Sequence, residues 1–128
     1  MFEIRVEANF SAAHFLKDYH GRCENLHGHN YLVRAHFRGE TLDNGGMLID
    51  FTQAKQALRD ICADLDHRSL NDLPIFAQNP SAERIARHIY GKLAAAQPLL
   101  WAIDVYETPE NRARYMGGSG VEPSTSWV

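Results

Sequence analysis

Residues 27–38 read His27-Gly28-His29-Asn30-Tyr31-Leu32-Val33-Arg34-Ala35-His36-Phe37-Arg38. From Tyr31 onward, apolar and polar side chains alternate, which is the pattern of a strand with one buried face. Projected backward, the apolar face passes through His29 and His27, because side chains two residues apart leave a strand on the same side. The segment therefore predicts a strand that carries two imidazoles to one end of a buried sheet face.

The N-terminal segment predicts a second strand of the same kind. Its apolar positions are Phe2, Ile4, Val6, Ala8 and Phe10, and charged or polar residues stand between them. The same face continues through Ala12 to His14. If the two strands pair antiparallel with their apolar faces together, the end of the first meets the start of the second. His14 then joins the other two imidazoles, and three nitrogen ligands with an open fourth position are typical of a catalytic zinc site.

Cys23 lies four residues before His27, and two roles are open for it. As a fourth ligand it would close a structural metal site, whereas as a free thiol beside a metal it would be catalytic. Replacement of Cys23 by Ala would strip the metal in the first case and leave it bound in the second. Cys62 falls on the apolar stripe of a helix predicted from about residue 51 to 64, and we expect it to be a small buried hydrophobe.

Length and composition are those of one globular domain. The chain has 128 residues, of which 45% are hydrophobic and 23% charged, and its net charge is -3. A domain without a basic footprint is not expected to bind nucleic acid, and no apolar run approaches a membrane span. The two cysteines could form one bridge at most, and the N-terminus shows no signal-peptide pattern, so we expect a reducing, cytoplasmic setting in which a cysteine beside histidines is chemical rather than disulfide-bonded. We expect one domain over residues 1–118 and a flexible tail over residues 119–128.

The rest of the chain predicts two helices followed by two strands. Asp50 begins the first helix with a capping-box pattern, and Asn79-Pro80-Ser81 begins the second. In the third strand, we expect Trp101, Ile103 and Val105 to share a buried face. The order ββααββ predicts an α+β fold, an antiparallel sheet with two helices packed on one face. Four strands leave two open edges, which favours closure through oligomerisation.

Two further features of the sequence contain residues that can bind a ligand or transfer protons. Glu107 is the next residue on the apolar face of the third strand, where a carboxylate is costly unless it has a partner. It either reaches water at an edge or is held for a ligand with adjacent N–H donors. Asp66 next to His67 is either an orienting pair, in which the carboxylate fixes the tautomer of the imidazole, or a solvated helix end.

The ordered set of motifs resembles the 6-pyruvoyltetrahydropterin synthase family, most closely its bacterial 6-carboxy-5,6,7,8-tetrahydropterin synthase branch in queuosine biosynthesis. The motifs are Phe10-Ser11-Ala12-Ala13-His14, Cys23 to His29, Asp50-Phe51, Leu65 to Asp72 and Glu107-Thr108. The resemblance runs from about residue 4 to about residue 116. It implies the tunnelling fold, in which the sheets of several subunits join into a barrel and two trimers stack into a homohexamer.

The resemblance also implies roles for individual residues. The implied ligands of one zinc ion per subunit are His14, His27 and His29. The implied catalytic residues are Cys23 as general base, Asp66 and His67 as a proton relay contributed across a subunit interface, and Glu107. The implied substrate-binding residues are Glu107, which anchors the pterin ring, Thr108 and Glu24.

The implied reaction converts the small molecule 7,8-dihydroneopterin triphosphate to 6-carboxy-5,6,7,8-tetrahydropterin and releases acetaldehyde and triphosphate. Two other activities remain open on the same residues. One eliminates triphosphate to give 6-pyruvoyl-tetrahydropterin, and the other uses Glu24 to cut the substrate to 6-hydroxymethyl-dihydropterin for folate. A non-catalytic pterin- or metal-binding module is the remaining alternative.

Overall fold

The computed structural model describes residues 1–17, 25–77 and 79–117. Its strands are β1 (Phe2–His14), β2 (His27–Gly39), β3 (Arg68–Ser69), β4 (Leu100–Thr108) and β5 (Asn111–Met116). Its helices are α1 (Phe51–Leu65) and α2 (Ala82–Ala96), and two 3₁₀ turns span Leu70–Asp72 and Pro74–Phe76. The predicted tail and two predicted site residues, Cys23 and Glu24, lie outside the described residues.

The five strands form one sheet in the order β3-β1-β2-β4-β5. Helix α1 packs on β1, and α2 packs on β4 and β5. One buried cluster joins the apolar faces of both helices to the inward face of the strands, so the α+β prediction is confirmed. Strand β3 was not predicted: it pairs parallel to β1 at Ala12 and Ala13, and two residues are too short to show any periodicity.

Strands β1 and β2 pair antiparallel over their whole length. Phe10 faces Tyr31, and the last pair of the ladder joins His14 to His27. The side chains of alternate residues on both strands enter the core, as the hydrophobic alternation predicts. The end of β1 therefore meets the start of β2, and this register brings the predicted imidazoles to one end of the sheet.

A β-bulge between β2 and β4 places Trp101 on the face of the sheet opposite to the predicted one. His36 pairs with Ala102 and Phe37 pairs with Leu100, so Trp101 has no residue opposite it. The extra residue reverses the alternation, and Leu100 takes the core position beside Ile103. Trp101 lies instead on the other face, with the guanidinium of Arg38 3.4 Å from its ring centroid.

Both helices begin at the predicted caps. Asp50 Oδ1 accepts a hydrogen bond from the Thr52 amide at 2.9 Å, and Ser81 Oγ accepts one from the Arg84 amide at 3.2 Å. Cys62 is buried on α1 as predicted, and burial raises the pKa of its thiol to about 12. Among the described residues, no helix is long and apolar enough to cross a lipid bilayer.

Candidate metal centre and active site

Four ligand groups meet where β1, β2 and β4 come together. They are His14 at the end of β1, His27 and His29 at the start of β2, and Glu107 near the end of β4. One ligand atom from each lies within 4.8 Å of every other. His14 is fully buried, and the other three are half-buried. The structure thus brings together the three predicted imidazoles and the predicted carboxylate.

Backbone carbonyls fix the tautomers of two of these imidazoles. Nδ1 of His14 lies 2.8 Å from the carbonyl oxygen of Pro80, and Nδ1 of His27 lies 2.6 Å from that of Asn25. Because a carbonyl only accepts, each Nδ1 carries the proton and each Nε2 keeps a free lone pair. This is the outer support that metal-binding histidines ordinarily have.

Within the part of the chain that the structure describes, two buried Nε2 atoms in the centre have no hydrogen-bond partner, those of His14 and His29. A buried polar atom without a partner is costly and calls for a ligand. Burial lowers the pKa of His29, and the neighbouring His14 and His27 lower it further against the opposing charge of Glu107. A neutral imidazole is the form that binds a metal. Imidazole and carboxylate donors together fit zinc.

Tyr31 packs against two of the ligand rings. Its ring lies edge-on to the rings of His14 and His29, with centroids 5.9 and 5.4 Å away. On its other side it stacks on Phe10 at 4.8 Å. Its hydroxyl is buried without a partner among the described residues, and burial together with Glu107 raises the pKa of the phenol. These apolar contacts hold two of the ligand rings in place.

Glu107 approaches the imidazoles from an irregular part of β4. Its Oε1 lies 3.3 Å from Nε2 of His29, and its Oε2 lies 3.8 Å from Nε2 of His14. Between β4 and β5, Tyr106 pairs with Arg112 and Thr108 with Asn111, so Glu107 is the extra residue of a second bulge. Bulges commonly aim side chains beside active sites. The hydrophobic pattern predicted the face of Glu107 but contained no sign of this bulge.

Asp66 and His67 form the predicted orienting pair outside the four-ligand group. Asp66 Oδ2 lies 2.8 Å from Nδ1 of His67, and Asp66 Oδ1 accepts a hydrogen bond from the Ser11 amide at 2.8 Å. The Ser11 amide and then His67 lower the pKa of Asp66. His67 has a φ of 58°, a region that residues other than glycine rarely adopt, and its side chain is 83% exposed.

His67 and His29 border one open groove of about 340 Å³ beside the end of β1. The exposed ring of His67 therefore faces solvent next to the sheet end that carries the four candidate ligands. Its backbone amide donates to the carbonyl of Ser11 at 2.6 Å, which holds the unusual conformation. A side chain that is both oriented and exposed is available to a ligand or to a second subunit.

Two asparagines that sequence reasoning missed hold the chain immediately after His14. Asn71 accepts a hydrogen bond from the Phe15 amide and donates one to the Phe15 carbonyl, both at 2.9 Å. Asn79 Oδ1 accepts from the Lys17 amide at 3.0 Å. The one feature of the sequence that could have indicated this role is that Asn71 belongs to the motif Leu65 to Asp72. These contacts fix the point from which the segment with Cys23 departs.

Among the other predicted residues, Thr108 lies next to Glu107, and its hydroxyl is buried without a partner among the described residues. The roles proposed for Cys23 and Glu24 stay predictions, because both residues fall outside the described part of the chain.

Comparisons with known proteins agree with this geometry. The family model described as 6-pyruvoyl tetrahydropterin synthase matches residues 3–118. A Synechocystis protein named 6-carboxy-5,6,7,8-tetrahydropterin synthase is 36% identical over 121 residues, which cover 90% of this chain and 93% of that protein. A Drosophila melanogaster protein named 6-pyruvoyl tetrahydrobiopterin synthase is also 36% identical, over 76% of this chain and 62% of that protein.

The solved structure of Caenorhabditis elegans 6-pyruvoyl tetrahydropterin synthase superposes with a TM-score of 0.83 and 29% identity. The match covers 91% of this chain and 96% of that chain. Its fold is thus shared almost from end to end. The family match, the identities and the superposition agree, and the chain belongs to the 6-pyruvoyl tetrahydropterin synthase family.

Proposed function

We propose that this chain is a zinc-dependent lyase that converts 7,8-dihydroneopterin triphosphate to 6-carboxy-5,6,7,8-tetrahydropterin, with release of acetaldehyde and triphosphate, in the queuosine pathway. The observation that carries the proposal is the convergence of His14, His27 and His29 at one sheet end, where two buried Nε2 atoms have no partner among the described residues. The name of the Synechocystis relative supports the choice of product.

The three imidazoles would hold the zinc ion through their Nε2 atoms. Zinc bound there supplies Lewis-acid chemistry to the hydroxyls of the substrate side chain. The carbonyls of Pro80 and Asn25 keep two ligand rings in the right tautomer. Glu107 accepts hydrogen bonds from the adjacent N–H groups of the pterin ring, which orients the side chain of the substrate toward the ligands.

Proton transfer is assigned to Cys23 and to the Asp66–His67 pair. A thiol has an unperturbed pKa of about 8.5, and nearby positive charge increases its thiolate fraction, so Cys23 takes a proton from a substrate carbon. His67 returns a proton on the other face of the substrate. The 2.8 Å contact with Asp66 orients the imidazole for this step, and its exposure suits action in the site of a neighbouring subunit.

A product assay tests the proposal. The purified, zinc-loaded protein receives 7,8-dihydroneopterin triphosphate, and the pterin product is identified by mass spectrometry. We expect a 6-carboxy pterin together with acetaldehyde. Cys23→Ala should abolish turnover while zinc stays bound, whereas His14→Ala should lose both zinc and turnover. Loss of metal from the Cys23 variant would instead show a structural ligand.

A second activity is supported by the 6-pyruvoyl names of the Drosophila and Caenorhabditis relatives, which match this chain over most of its length. Both activities depend on the same residues, so only the identity of the product distinguishes between them. A 6-pyruvoyl product would assign the chain to that activity, and a 6-hydroxymethyl product would move the chemistry to Glu24. Absence of turnover would favour a binding module.

A further inference from the structure

The carboxylate of Glu107 lies at the spacing of a metal ligand. With bonds of about 2.0 to 2.1 Å, two ligands of a tetrahedral zinc ion lie about 3.3 to 3.4 Å apart. The distance from Glu107 Oε1 to His29 Nε2 is 3.3 Å, and that from Glu107 Oε2 to His14 Nε2 is 3.8 Å. Neither Nε2 atom has a hydrogen-bond partner among the described residues, so both nitrogens and the carboxylate are available to one metal ion.

The backbone at Glu107 pairs with no described strand residue on either side. The β2–β4 ladder ends at the pair Leu32–Tyr106, and on the β5 side Glu107 is the unpaired residue of the bulge. Its side chain is 26% exposed, in contrast to the fully buried His14 beside it. A rotamer change at His14 or His27 would break the contact of its Nδ1 with the carbonyl of Pro80 or Asn25, whereas no such contact to a backbone carbonyl holds the carboxylate of Glu107 among the described residues.

We propose that Glu107 is a displaceable fourth ligand of the metal. In the substrate-free protein its carboxylate completes the coordination shell of His14, His27 and His29, and it leaves the metal to bind the N–H donors of the pterin ring when a pterin enters. The release of Glu107 to a pterin rests on the proposed function, whereas its binding to the metal in the substrate-free protein does not.

The exchange has a physical rationale. A carboxylate at the metal partly neutralises the charge of the ion and closes the open position to other ligands. When a pterin arrives, the same carboxylate gains hydrogen bonds to ring N–H groups, so it is not left buried without a partner. The vacated position then becomes available to the hydroxyls of the substrate only when the ring is in place.

Metal affinity tests the first half without any substrate. Zinc affinity is measured by chelator competition for the wild type, for Glu107→Gln and for Glu110→Gln, a matched change of an exposed glutamate in the β4–β5 turn. We expect Glu107→Gln to bind zinc at least about tenfold more weakly, because a neutral amide is a much poorer zinc ligand than a carboxylate. We expect Glu110→Gln to match the wild type. Equal affinity in all three proteins would overturn the proposal.

Cobalt substitution tests the exchange in the wild-type protein, with Glu107→Gln as the reference. Visible absorption of bound Co²⁺ reports the number and kind of its ligands. Unsubstituted pterin, which has no side-chain hydroxyls, is added until its fluorescence shows saturation of binding. We expect the wild-type spectrum to move toward that of Co²⁺-loaded Glu107→Gln, and the variant spectrum to stay as it was.

An unchanged wild-type spectrum under saturating pterin would overturn the exchange, as would a pterin that does not bind at all. Neither result depends on turnover. Failure of the proposed function is determined separately, from the product formed with the triphosphate substrate. A protein that makes 6-carboxy pterin but keeps its cobalt spectrum would refute this inference and leave the proposed function standing.

Discussion

Asp104 is the one aspartate among the described residues that is fully buried. It lies on β4, and its carboxylate receives two hydrogen bonds from Arg114, at 2.6 and 2.9 Å, and contacts Nε2 of His36 at 2.7 Å. Burial raises the pKa of Asp104, but the hydrogen bonds from Arg114 and His36 outweigh it and the net shift is downward. The carboxylate is thus a fully partnered buried charge.

We expect Asp104→Asn to lower the free energy of unfolding by about 2 kcal/mol, measured by urea denaturation. Removing one partner of a fully buried pair costs about 3 to 5 kcal/mol, and Arg114 keeps part of its contact with water, which reduces the loss. Asp64→Asn, at an exposed position of α1, is the control and should change stability little. Equal midpoints for the two variants would contradict this assignment.

The lowered pKa of Asp104 also sets a pH dependence. A carboxyl whose folded pKa lies below its unfolded value stabilises the protein above the unfolded value, which is 3.8 for this group. This contribution is lost as the pH falls from about 4 through the folded pKa. The difference in stability between wild type and Asp104→Asn should therefore be constant near neutral pH and shrink below about pH 4. A difference that stays constant down to pH 2 would disprove the linkage.

At the scale of elements, Asn71 joins the turn after β3 to the end of β1. We expect Asn71→Ala to cost about 1 to 3 kcal/mol, because it leaves the Phe15 amide and carbonyl without their partners. Since Phe15 directly follows His14, zinc affinity should fall as well, measured by chelator competition. Asn111→Ala, at the exposed start of β5, should change neither quantity. If Asn71→Ala lowers stability and leaves zinc affinity unaltered, Asn71 does not support the metal ligand His14.

The elements also show what the sequence could predict and what it could not. The convergence of His14, His27 and His29 required only strand parity and antiparallel pairing, so it was predictable. The bulge at Trp101 adds one residue without any change in composition, and the predicted face of Trp101 was therefore wrong. The hydrogen bonds between Asn71 and Phe15 join residues 56 positions apart, and no local pattern encodes such a contact.

At the scale of the molecule, the sheet ends in two partly open edges. Among residues 1–17, 25–77 and 79–117, strand β3 covers β1 only at Ala12 and Ala13, and β5 pairs on one side alone. Apolar side chains are exposed on both edge strands, with Phe2 on β1 48% exposed and Met116 on β5 53% exposed. Open edges of this kind invite pairing with another chain.

The open edges predict edge-to-edge pairing, and the resemblance to the family leads us to predict that this pairing builds a hexamer of two trimers. Analytical ultracentrifugation should give a mass six times the 14.5 kDa of one chain. Dilution or substitution of Phe2 and Met116 by Lys should favour smaller species. A monomer at every concentration would rule out both the barrel and the contribution of His67 to a neighbouring site.

The bulge at Trp101 determines how this chain tolerates insertions and deletions. Deletion of Trp101 would make Leu100 and Ala102 consecutive partners of Phe37 and His36, a regular ladder that leaves Glu107 in its place. Deletion of a residue between the bulge and Glu107 would turn that carboxylate to the opposite face of the sheet. Loss of the extra residue at position 101 is thus absorbed locally, whereas the spacing from residue 102 to Glu107 is fixed.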